Sequence, residues 1–145
     1  MILKNFAILI LAHLLGDIIF ASYRLSLLKR RKGFLFQLLG LGVHALIHAL
    51  FAGIFLIVAG ANWARGALLI FVIHYMIDLI RSSAEKKIFG YGQVYVKRSE
   101  FIAWVKGKSD NPEKMNIRNL RTWFLLNFLD QGAHLVSLYV IAHYV

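Results

Sequence analysis

Eight of the thirteen His, Asp and Glu side chains in this sequence, all able to coordinate a divalent cation, come as four pairs with one spacing. The pairs are His13 and Asp17, His44 and His48, His74 and Asp78, and Asp130 and His134. Residues i and i+4 of an α-helix share a face, so each pair presents two donors from one side of one helix. Imidazole nitrogen and carboxylate oxygen suit Zn, Mn or Fe, and facing helices are a recurrent scaffold for such centres. Eight donors suffice for two ions, with some of the eight orienting others. Two divalent ions outweigh three aspartates, and hydroxide or an anionic substrate balances the excess. A bound ion acidifies water and polarises the oxygen of an ester or phosphate, so the chemistry allowed is metal-assisted hydrolysis. All eight are therefore candidate ligands, and Asp17, Asp78 and Asp130 are also candidate catalytic groups.

The last pair belongs to a longer stripe. Asn127, Asp130, Gln131 and His134 follow i, i+3, i+4, i+7, which makes Asn127 and Gln131 candidates for orienting the carboxylate and imidazole. Arg24, Arg81 and Arg121 flank the apolar segments and are candidates for holding an anionic headgroup. Each polar group also has a plainer reading. Intramembrane His and Asp can simply bond across helices, at about 0.6–2 kcal/mol each. The set as a whole favours a metal, because an aspartate alone at a helix centre costs about 2.5–3.5 kcal/mol or more.

The elements that must position these pairs are four apolar segments, at about 2–22, 34–60, 65–81 and 122–145. Of the 145 residues, 59% are hydrophobic and 17% charged, against roughly 45–50% and 25% in soluble domains. A helix needs about 20 apolar residues to cross the hydrocarbon. Backbone groups in lipid need internal partners, so these segments are helices. The expected fold is all-α, a single transmembrane domain of about four helices. The third segment is the shortest, so Arg81 is expected to snorkel or the helix to continue beyond the lipid. Counting along the helix, His13 lies roughly 16 Å from Arg24 and Asp130 roughly 14 Å from Arg121. The pairs thus fall in overlapping layers, with His48 the deepest.

Formal net charge is +10, yet its distribution argues against a nucleic-acid partner. The basic residues lie in loops between apolar spans, chiefly about 23–33 and 82–121 with Arg81 at the edge of the second, and only Lys4 and Arg65 lie elsewhere. Such loops mark the cytoplasmic side and meet anionic lipid headgroups, so both termini are expected outside. The apolar run near the N-terminus holds His13 and Asp17 and is preceded only by Lys4, so it reads as a retained span rather than a cleaved leader. There are no cysteines, which excludes thiolate metal sites and thiol catalysis.

The second loop carries local signals. Ser99 is positioned to cap a short interfacial helix through Trp104, with Phe101, Trp104 and Val105 on one face. Gly90-Tyr91-Gly92 reads as a turn and 94–96 as a short extended piece. Asn111-Pro112 reads as a helix start that runs on into the fourth span. Gly40, Gly42 and Gly53, with Ala45, Ala49 and Ala52, allow close helix approach. His143 is expected at the solvated outer end.

The stretches His13-Leu-Leu-Gly-Asp17, His44-Ala-Leu-Ile-His48, His74-Tyr-Met-Ile-Asp78 and Asp130-Gln-Gly-Ala-His134, in this order, resemble the bacterial membrane-protein family known as domain of unknown function 3307. The resemblance covers all four spans. It implies a small multi-pass protein of the bacterial inner membrane, in some cases carried by phages or mobile elements, and no established activity. The family pattern usually has Gln four positions after the first Asp, where this chain has Ala21. The His-rich helices are also similar in composition to membrane-bound metal-dependent hydrolases.

Three functions remain open on the sequence. The first is a metal-dependent hydrolase of a lipid-linked phosphate or ester, with a divalent metal as cofactor. The second is a proton- or cation-conducting protein, since buried His and Asp are relay groups; four spans are few for that role, so it requires a homo-oligomer. The third is a non-catalytic interaction subunit that docks through its basic loop.

Overall fold

In the computed structural model, residues 1–20, 25, 28–29, 33–90, 98–108 and 116–145 are described. They form α1 (Ile2–Phe20), α2 (Phe34–Val58), α3 (Trp63–Phe89), α4 (Arg98–Val105) and α5 (Ile117–Ala142). Four of these, α1, α2, α3 and α5, are long and apolar enough to cross a membrane. Large apolar side chains such as Ile18, Leu50, Leu68, Phe128 and Val136 point outward along them. In water that surface would be a liability, whereas lipid makes it neutral.

The helices run alternately up and down. α1 packs on α2, α2 on α3, α3 on α5 and α5 on α1, and no close packing joins either diagonal pair. The result is a square ring whose axis must be filled by side chains. At the end holding both termini the filling is dry: Leu9, Ala12, Ala49, Ala52, Leu56, Ile70, Leu138, Ile141 and Ala142 form one buried cluster. Asn5 closes this end by donating to the Val145 carbonyl at 2.8 Å. The Ala49 and Ala52 positions behave as expected for close approach, and a Cβ on Gly53 would sit 3.5 Å from that of Ala67.

Local chemistry sets the helix ends. Asn62 caps α3 by accepting from the Arg65 N–H, and Asn116 caps α5 by accepting from the Asn119 N–H. Gly60, with φ +71°, supplies the left-handed residue that turns the chain between α2 and α3.

One of the two alternatives for the third span holds, and two expectations change in detail. α3 continues past Arg81 to Phe89. Ser82 and Glu85 lower its hydropathy, yet both are buried against neighbouring elements, so the helix continues as part of the bundle. Arg81 turns inward rather than out to the lipid surface. Ser99 lies within the first turn of α4 rather than before it, while Phe101 and Trp104 do share a face and pack with Trp123 around Leu120 of α5. The segment 91–97, Asn111-Pro112 and Ala21 lie outside the described residues.

Candidate metal centre

All four His/Asp pairs face the bundle axis, at one level below the dry layer. His13, His44, His48, His74, Asp78, Asp130 and His134 are buried, and the Asp17 side chain is 32% exposed. The five imidazoles form one connected group. Ring centroids are 4.0 Å apart for His48 and His74, 4.1 Å for His74 and His134, and 4.5 Å for His44 and His48. His13 lies 4.8 Å from His48 and 5.0 Å from His134. The close approach of α1 depends on Gly16, where a Cβ would stand 2.6 Å from Cε1 of His48.

The carboxylates edge this group. Asp17 Oδ1 is 3.3 Å from Nε2 of His48 and 3.8 Å from Nε2 of His44, while its Oδ2 is 3.4 Å from Nε2 of His13. Asp78 Oδ2 is 3.7 Å from Nε2 of His44 and 3.9 Å from that of His74. Nε2 of His134 lies 3.6 Å from Asp78 Oδ1 and 3.7 Å from Asp130 Oδ1. N–H···O bonds cluster at about 2.7–3.2 Å, so these contacts are too long for good hydrogen bonds. Around a tetrahedral ion with bonds of about 2.0–2.1 Å, neighbouring ligand atoms stand about 3.3 Å apart. The shorter of the observed separations match that figure, and the rest lie within half an ångström or so of it.

Nε2 of His13, Nδ1 of His44, both ring nitrogens of His48, Nε2 of His74 and Oδ1 of Asp130 are buried with no hydrogen-bond partner among the described residues. Buried polar atoms are nearly always satisfied, and one left without a partner costs about 1–3 kcal/mol. Four overlapping triads could hold an ion: His13/His48/His74, Asp17/His44/His48, His44/His74/Asp78 and Asp78/Asp130/His134. In each, the three ligand atoms lie within 4.8 Å of one another.

A cationic layer lies just beyond, toward the end of the bundle where the basic residues gather. Lys29 Nζ donates to Asp78 Oδ2 at 2.7 Å. Arg81 sits 3.4 Å from Asp130 Oδ2 and 3.6 Å from Glu85, and donates to Asn127 Oδ1 at 2.8 Å. Gln37 donates to Ser82 Oγ at 2.9 Å, the Ser82 hydroxyl donates to the Lys29 carbonyl, and Lys86 donates to Gln37. Gly40 makes room for this, since a Cβ there would lie 2.9 Å from the Lys29 nitrogen.

Sequence reasoning missed Lys29, Gln37, Ser82, Glu85 and Gly16. A signal existed for some of them: Ser82 continues the i, i+4 row of His74 and Asp78, and Gln37 lies two turns before His44. Asn127 holds Arg81 rather than the carboxylate itself. Gln131 is exposed and reaches Asp130 Oδ2 only at 3.5 Å. Arg121 is exposed on the first turns of α5, and Arg24 lies outside the described residues. His143 is exposed, as expected, with Nδ1 2.9 Å from the Tyr139 carbonyl.

Comparison with known proteins bears on this geometry in one respect. Residues 5–145 match the family model described as "Protein of unknown function (DUF3307)". No curated protein matches the chain, and no solved structure does. The chain therefore belongs to the DUF3307 family, and the match spans every helix that contributes to the centre.

Proposed function

We propose that this chain is an intramembrane metalloprotein that binds one or two divalent ions, Zn, Mn or Fe, and uses them to hydrolyse a lipid-linked phosphate or ester. The observation that carries this reading is His48, at the junction of two candidate triads, whose two ring nitrogens are buried with no hydrogen-bond partner among the described residues and whose Nε2 stands 3.3 Å from Asp17 Oδ1. Neutral imidazoles crowded together in lipid repel no one, but they leave their polar atoms unsatisfied; a shared cation satisfies several at once. Such an ion brings the pKa of bound water toward about 7. Asp17, the only one of the three aspartates with an appreciably exposed side chain, is the group best placed to meet an incoming water or substrate. The basic end faces the cytoplasm of a bacterial cell, with both termini outside, on the positive-inside rule.

Proton or cation conduction is the weaker reading. Between the His/Asp level and Asn5, the buried residues described are all apolar, and a relay needs polar groups or water throughout. Elemental analysis of protein purified without chelators tests the proposal. One or two equivalents of Zn, Mn or Fe per chain are expected, with loss of occupancy in His48→Ala. Metal-free protein after loading with each ion would overturn it.

A further inference from the structure

The two ends of the centre differ in what surrounds their carboxylates. Asp17 touches only His13, His44 and His48 among the described residues, with no Lys or Arg partner. Asp78 and Asp130 are each divided between two kinds of neighbour. Their inner oxygens, Oδ1 in both, face Nε2 of His134 at 3.6 and 3.7 Å. Their outer oxygens, Oδ2 in both, hold Lys29 at 2.7 Å and Arg81 at 3.4 Å. An ion in the Asp17/His44/His48 triad meets no ammonium or guanidinium at its carboxylate among the described residues. An ion in the Asp78/Asp130/His134 triad meets an ammonium and a guanidinium already seated on both of its carboxylates.

Charge counting sharpens the contrast. Asp17, Asp78, Asp130 and Glu85 against Lys29, Arg81 and Lys86 leave a single negative charge in the metal-free centre, with the histidines neutral. One divalent ion turns that into a single positive charge, which a bound hydroxide cancels. A second ion leaves two more positive charges in a site enclosed by lipid, where uncompensated charge is strongly disfavoured. A dianionic phosphoryl group is the chemistry that restores neutrality. Lys29 and Arg81 are the groups placed to receive it: arginine forks onto oxyanions, lysine is a common phosphate partner, and Nε of Arg81 is buried with no hydrogen-bond partner.

Building on the metalloprotein reading, we infer that the centre loads in two unequal steps. An ion at Asp17, His44 and His48 binds by itself, whereas an ion at Asp78, Asp130 and His134 binds together with a phosphoryl oxyanion that draws Lys29 and Arg81 off the carboxylates. By linkage the dependence is reciprocal, so the second ion tightens the oxyanion as much as the oxyanion tightens the ion. The substrate then completes the two-ion centre that acts on it. The backbone of Lys29, held by Ser82 beside Gly40, keeps the displaced ammonium next to the site.

The test counts Mn²⁺ bound to the full chain in phosphatidylcholine nanodiscs, with electron paramagnetic resonance to tell isolated from exchange-coupled ions. The phosphate-free protein is expected to hold one tightly bound, uncoupled ion. Added inorganic phosphate, or phosphatidic acid in the nanodisc, is expected to bring in a second, coupled ion, with affinity raised at least about tenfold. A response to inorganic phosphate identifies the phosphoryl group itself as the ligand; a response to phosphatidic acid alone identifies its lipid-borne form. Lys29→Met and Arg81→Met are expected to keep the first ion, which also reports that the variants fold, and to bind the second with no phosphate dependence. Two ions held equally tightly without phosphate, or one ion whatever is added, overturns the stepwise loading and leaves the metalloprotein reading intact. No ion under any condition overturns both.

Discussion

Replacing Gly16 by alanine adds one methyl group where α1 presses on the His48 ring. The new Cβ would lie 2.6 Å from Cε1, 2.7 Å from Nδ1 and 3.1 Å from Nε2. The ring cannot turn aside cheaply, because it is 1% exposed and packs on His74, His44 and His13. Overpacking of this kind costs about 1–3 kcal/mol. Alanine also gains about 0.5–1 kcal/mol over glycine in a helix, which could mask the clash. Gly132→Ala supplies the control, since nothing lies within 4 Å of a Cβ there and the helix gain is common to both. The difference between the two variants is then the clash alone, about 1–3 kcal/mol, or roughly 3–10 °C in midpoint for a chain of this size. Thermal unfolding in one detergent, followed by tryptophan fluorescence, reads it out, and elemental analysis of the same samples reports metal occupancy. The double variant Gly16→Ala/His48→Ala should recover much of the lost stability without recovering metal, because the methyl then fills vacated space. Equal midpoints for Gly16→Ala and Gly132→Ala, with full metal in both, would refute the argument that α1 pins this ring.

Stripping metal with a strong chelator should lower the midpoint reversibly, since a ligand at a thousand times its Kd adds about 4 kcal/mol to the folded state; re-addition of Zn or Mn in a melting experiment checks it. Asp78→Asn should destabilise by about 3–5 kcal/mol, the usual result of removing one partner of a buried ion pair, and adding Lys29→Met should restore part of that loss in a denaturation series. Asn5→Ala should cost about 1 kcal/mol by deleting the bond to the Val145 carbonyl, with metal content unchanged, because the dry layer separates it from the centre. Single cysteines at Lys4 and Lys106 should label from opposite sides of intact cells or vesicles, Lys4 from outside; labelling from one side only would contradict the alternating path of the helices.

Much of this architecture was legible because lipid leaves few options. Apolar length gave the spans, and the i, i+4 spacing gave the inward face of each helix, since a carboxylate directed at acyl chains is too costly to keep. The pairs therefore announce the axis of the bundle. What escaped was contact made by folding back. Lys29 belongs to a basic loop, where a lysine is ordinary, and only its approach over Gly40 brings it to Asp78. The full length of α3 was one of two alternatives for a related reason: Ser82 and Glu85 look like the edge of a span to a hydropathy window, yet they are buried inside the bundle. Gln131 was legible from the same stripe. It reaches the Asp130 carboxylate at 3.5 Å although part of its side chain faces outward.

The square arrangement, with no backbone approach across either diagonal among the described residues, makes the molecule a pair of tongs. One end is gripped by interdigitated leucine, isoleucine and alanine, which resists separation whatever the ionic conditions. The jaws are lined by imidazole and carboxylate, held toward the basic side by the Lys29–Asp78 and Arg81–Asp130 ion pairs. An ionic guest at that end competes with these pairs, whereas the dry grip offers it nothing to bind.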